Sequence, residues 1–173
     1  MKTRSLLNLR RSERLIWTIH LFGLLCVGGC SQSETPMQEN APEWLVFGRF
    51  YGHCQGEQCI EIYKLEKGKL FEDRNDQYVS NETFYEASYE QLDDAKYEMV
   101  RSILDHIPSG LIAEDQIRFG CPDCADQGGI YLEIKNSQAH EFWIFDQNKQ
   151  DVPAYLHSYL DLINAKIDFL SNE

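Results

Sequence analysis

The chain is short of positive charge: its 173 residues hold 16 Lys and Arg against 28 Asp and Glu, a formal net charge of −12. Such a deficit repels phosphate backbones and anionic bilayers, so nucleic acid is not expected as a partner. No apolar run is long enough to span a bilayer. The best one, residues 15–27, has 13 residues interrupted by Thr18 and His20, where a spanning helix needs about 20. Also missing are a Gly-rich phosphate loop, a Gly-x-Ser-x-Gly elbow and a His-Glu-x-x-His pair, which leaves those catalytic classes without a foothold. His106, His140 and His157 have no metal-binding or catalytic spacing. The run from Asp73 to Gln77 opens like a calcium loop, but Tyr78 stands where glycine is needed and Phe84 where a bidentate Glu belongs. It is expected to be a polar turn.

What is there begins at the amino end. Lys2, Arg4, Arg10, Arg11 and Arg14 precede the apolar stretch, which leads into Val27-Gly28-Gly29-Cys30. An aliphatic residue, two small residues and a cysteine in that setting resemble a bacterial lipoprotein signal. The resemblance implies cleavage of residues 1–29 and acylation of Cys30, palmitate being one of the chains, and so an anchor in a membrane of the cell envelope. Cys26 is the poorer lipid site, because Leu25 is too bulky for the small-residue position. Two or three acyl chains hold stably where one holds only reversibly. Residues 1–29 carry five basic residues and one acidic residue, leaving 11 basic against 27 acidic and a net charge of −16 from Cys30 onward. After Cys30, residues 31–43 are rich in Ser, Gln, Glu, Pro and Asn without hydrophobic periodicity, and are expected to form a disordered tether reaching about 20 Å.

Residues 44–173 are expected to form one globular α+β domain, since no Pro/Gly-rich break divides them and 19 of the 21 aromatic residues lie there. Strands are expected at 44–47, 59–65 and 70–71, a β-meander broken by Gly-containing turns. Ser88 with Gln91 has the capping-box spacing, so a helix is expected to follow, with Leu92, Ala95, Met99, Ile103 and Ile107 on one face, widened by Val100 and Leu104. Pro108 and Gly110 would stop it. A second set of strands is expected at 117–119, 130–135 and 141–145, the last two joined as a hairpin through residues 136–139. A final helix from Pro153 would set Leu156, Leu160, Ile163, Ile167 and Leu170 on one stripe. The expected architecture is an antiparallel sheet of five to six strands, in two meander halves, with both helices on one face.

Four cysteines remain: Cys54 and Cys59 around one turn, Cys121 and Cys124 around Pro122-Asp123. Three chemistries fit. Disulfides suit an exported domain, with three possible connectivities; a local Cys54–Cys59 bridge stabilises by roughly 2 kcal/mol and a Cys54–Cys121 bridge by roughly 4. Zinc could take all four as a tetrahedral site, or three with His53, although exported thiolates must escape oxidation first. Thiol–disulfide exchange at the Cys-x-x-Cys pair is the third. Against it, the pair leads into a strand rather than a helix, and Asp123 and Asp126 are expected to oppose a thiolate by like charge.

The lipobox, the segment from Gly52 to Cys59 ahead of a Tyr/Lys/Leu strand, and the segment from Cys121 to Gly129 resemble, together and loosely, small uncharacterised lipoproteins of Bacteroidota-type bacteria. That resemblance implies an envelope with an outer membrane, and it assigns no catalytic residue. Ser31 after Cys30 suits outer-membrane sorting, and the periplasmic face of that membrane is the expected location. The expected function is therefore a binding or structural lipoprotein with a protein or small-molecule partner of unspecified chemistry. A zinc module using all four of these cysteines and a thiol-exchange protein using Cys121 and Cys124 are the alternatives.

Overall fold

A computed structural model describes residues 41–172. The expected leader 1–29, the lipidation residue Cys30 and the tether as far as residue 40 lie outside the described residues. Seven strands follow in chain order: β1 Trp44–Phe50, β2 Ile60–Glu66, β3 Lys69–Asp73, β4 Tyr89–Gln91, β5 Arg118–Phe119, β6 Gly129–Lys135 and β7 His140–Asp146. Two α-helices, α1 Asp94–Val100 and α2 His157–Ser171, complete an α+β fold. None of the described helices is long and apolar enough to cross a membrane.

The strands form one sheet in the order β4-β3-β2-β1-β6-β7-β5. Period-two alternation sends Leu45, Phe47, Leu65, Leu132 and Trp143 to one face, where they pack with Val100, Ile103, Leu160, Ile163 and Ile167. Both helices therefore lie on that face. Each fully buried Leu, Ile or Phe contributes about 1.5–3 kcal/mol, which explains how short helical segments are held. On the opposite face Val46, Phe50, Ile62, Tyr131, Phe142 and Ile144 form a second apolar cluster. Its cover is the irregular segment 74–88, which contributes Val79 and packs Tyr85 against it. Asp73 organises that segment by accepting hydrogen bonds from the Asp76 N–H, the Tyr85 hydroxyl and the Ser88 N–H.

Five expectations need correction. The sheet has seven strands and is mixed, because β5 runs parallel to β7, with Arg118 beside Ile144 and Phe119 beside Phe145. Strand β4 stands at one edge and β5 at the other. The chain between them crosses the helix face, burying Val100, Ile103 and Leu111. Strand β5 then turns back through loop 120–128 into β6, and β7, inserted between the two and antiparallel to β6, runs parallel to β5. The second half is accordingly not a meander, since β5 pairs with β7 rather than β6.

Of the residues read as a capping box, Ser88 to Gln91, the last three form strand β4. Phe71 pairs with Gln91 and Asp73 with Tyr89, so edge pairing overrides the local pattern. Asp93 is the true N-cap and accepts from the Lys96 N–H at 3.0 Å. Helix α1 then tightens into a 3-10 segment, Arg101–His106, which rotates the apolar face. Val100 and Ile103 are buried while Met99 is 49% exposed, and Ala95 is exposed too. The β6–β7 hairpin and the buried stripe of α2 are as expected, the stripe beginning at Leu156 in a 3-10 turn ahead of the helix.

Candidate functional site

The sheet's topology gathers the cysteines at one end. Strand β5 sits outside β7, yet the next strand, β6, lies inside it, so loop 120–128 must pass over the end of β7 at Asp146. The Asp146 carboxylate, 6% exposed, holds that loop. It accepts from the Cys121 N–H at 2.9 Å, the Gln127 side-chain amide at 3.1 Å and the Asn148 N–H at 2.8 Å. Gly120 has φ +74, and a Cβ there would stand 2.7 Å from the Asp146 Cβ, so the close approach and the left-handed backbone both require glycine.

Cys54 is bonded to Cys59, and Cys121 to Cys124, each with Cα atoms 5.5 Å apart. Of the three connectivities open in the sequence, the structure has the local one. The first bridge closes the β1–β2 loop, where the Tyr51 N–H donates to the Cys59 carbonyl at 2.9 Å. The two loops touch: the Asp123 carboxylate accepts from the Gly52 N–H at 2.7 Å, the Tyr78 hydroxyl at 2.9 Å and the Gly128 N–H at 2.9 Å. Asp123 is thus turned toward the neighbouring loop and takes up three donors. Tyr78 packs edge-on to Phe50 at 5.5 Å, and partial burial, reinforced by Asp123, pushes its phenol up to about 12.

A basic group not anticipated at this site completes it. The Arg118 guanidinium reaches both sulfurs, Nη2 lying 3.7 Å from Cys121 Sγ and 3.6 Å from Cys124 Sγ. Its signal in the sequence is an arginine three residues before the first cysteine, but only the edge position of β5 aims it across the loop. Cys54, Cys121 and Cys124 are exposed, while Cys59 is 8% exposed. His53 is exposed as well. Among the described residues no three His, Cys, Asp or Glu side chains are gathered for a metal ion.

Elsewhere, buried acids are matched to phenols. Glu133 accepts from the Tyr131 hydroxyl at 2.6 Å and pairs with His140 Nε2 at 2.7 Å, beneath Phe84 stacked on the His140 ring. Glu61 accepts from the Tyr63 hydroxyl at 2.6 Å. Burial first, and then the adjoining carboxylate, holds both phenols well above their usual range. A polar cavity of about 340 Å³ beside Glu61 includes Glu72, Asp73 and Lys96, and burial raises the Glu72 carboxyl. A wider groove of about 610 Å³ runs past Ala41, Pro42, Ile107, Ile112 and Ile134, where the chain enters the domain. No protein-family model matches the chain, and none of the curated proteins compared with it is significantly similar.

Proposed function

We propose that the chain is an envelope lipoprotein, held to a membrane through acylated Cys30, whose acidic domain serves as a binding or structural module. The observation that carries the reading is the pair of local disulfides on loops at one end of the sheet. Bonded cysteines in a small domain belong to compartments where oxidation persists, which agrees with the leader and lipobox pattern. The surplus of acidic residues supports a domain that stands clear of anionic headgroups and of nucleic acid. The outer membrane, with the domain on its periplasmic side, is the proposed location.

The zinc alternative loses support from the bonded state of all four sulfurs, because a metal ligand must be a thiolate. Metabolic labelling with an alkyne fatty acid tests the proposal. Label should appear on the wild-type chain and vanish in Cys30→Ala, while Cys26→Ala stays labelled. Equal labelling of wild type and Cys30→Ala, or none in either, would sink it.

A further inference from the structure

We propose that Cys121–Cys124 is an exchangeable disulfide that accepts electrons from a protein dithiol, with Arg118 as the residue that stabilises the departing thiolate. Exposure separates the two bridges: both sulfurs of this one belong to exposed residues, whereas Cys59 of the other is buried. A thiolate of the donor attacks one sulfur, the Sγ–Sγ bond breaks, and the second sulfur leaves as a thiolate. Arg118 is within 3.7 Å of either, so whichever sulfur departs does so against the same guanidinium. The donor's second thiol then attacks the mixed disulfide. The donor ends as a disulfide, Cys121 and Cys124 end reduced, and two electrons and two protons have passed to them.

The loop is built to survive the change. Asp146 holds the Cys121 N–H, the Gln127 amide donates to the Cys121 carbonyl at 2.9 Å, and the Asp123 N–H donates to the Gly128 carbonyl at 2.9 Å. None of these bonds needs the sulfur bridge, so the two thiols stay adjacent and the loop is ready for reoxidation. Asp123, the acid between the cysteines, is turned to the Gly52 and Gly128 N–H groups and to Tyr78, while the Arg118 guanidinium is the charged group in contact with both sulfurs.

The test uses the purified full-length protein and reduced thioredoxin as the dithiol, with thiols trapped over time and located by peptide mass. Cys121 and Cys124 should open at least about tenfold faster than Cys54 and Cys59. With the pair reduced, Arg118→Gln should slow its alkylation at pH 7 about tenfold and move the pH profile upward, and Arg118→Lys should restore most of the rate. A merely structural Arg118 would leave that profile in place. Equal opening of the two bridges, or an Arg118→Gln profile that coincides with wild type, overturns the proposal.

Discussion

Replacing Asp146 by alanine should destabilise the domain more than any surface change, and should do so at the cysteine loop. The carboxylate accepts three hydrogen bonds, from the Cys121 N–H, the Gln127 amide and the Asn148 N–H, at 2.8–3.1 Å. A hydrogen bond to a charged group contributes about 1.5–3 kcal/mol, which would give roughly 4–9 kcal/mol if all three donors stayed dry. They do not all stay dry, since Cys121 and Asn148 are exposed and water can reach those two N–H groups. A loss of about 3 kcal/mol follows, with a melting point lower by on the order of 10 °C for a domain of this size. Urea denaturation with an unchanged slope measures it. Asp146→Asn keeps one acceptor oxygen and should lose about half as much. Glu141→Ala, an exposed change on the same strand, should stay within about 0.5 kcal/mol. A loss below about 1 kcal/mol for Asp146→Ala would refute the view that this side chain holds the loop.

Removing the Cys54–Cys59 bridge as a double alanine variant should cost about 2 kcal/mol, because the bridge spans a sequence separation of only 5; thermal unfolding without reductant reads it, and a loss above about 4 would point to strain elsewhere. Alkaline titration should unfold the protein. Tyr78 and Tyr155 are raised to about 12, and Tyr63, Tyr85, Tyr89, Tyr131 and Tyr159 are held higher still, all chiefly by burial. Each phenol keeps its proton in the fold beyond the unfolded value of about 10, so its contribution is whole below pH 10 and is lost as pH rises through and past about 12. Absorbance of phenolate at 295 nm should therefore rise together with loss of the circular dichroism signal; phenolate from the buried tyrosines in a still-folded protein would contradict this. A strong chelator should leave the melting temperature of the oxidised protein unchanged while a reductant lowers it, and a drop with chelator alone would restore the zinc reading.

The regular elements were legible because their patterns are local. Ile130, Leu132 and Ile134 alternate as a half-buried strand must, and the α2 stripe repeats at helical spacing, so both faces could be assigned without knowing their partners. Elements made by distant pairing were not. Ser88 with Gln91 carries a helix-start signal, yet Tyr89–Gln91 is extended because β3 offers it an edge. The parallel sense of β5 follows from the insertion of β7 between β5 and β6, which no local pattern announces. Val46, Ile62 and Ile144 look like ordinary strand residues, and only the segment 74–88 laid across them makes their face a second core.

The site divided in the same way. The cysteine spacings pointed to two local pairs, and the structure bonds each pair on neighbouring loops at one end of the sheet. Arg118 and Asp146 were invisible as site residues, because their roles arise where the chain passes over the end of β7. Asp123 was legible as a charge but not in its direction, which is set by the Gly52 N–H 71 residues away.

The anchor remains the center of the account, and one measurement addresses it directly: tandem mass spectrometry of the amino-terminal tryptic peptide of the protein extracted from membranes. The predicted result is a peptide that begins at Cys30, ends at Arg49 and carries two or three acyl chains on its first residue. A peptide beginning upstream of Cys30, or one beginning at Cys30 without lipid, would contradict it.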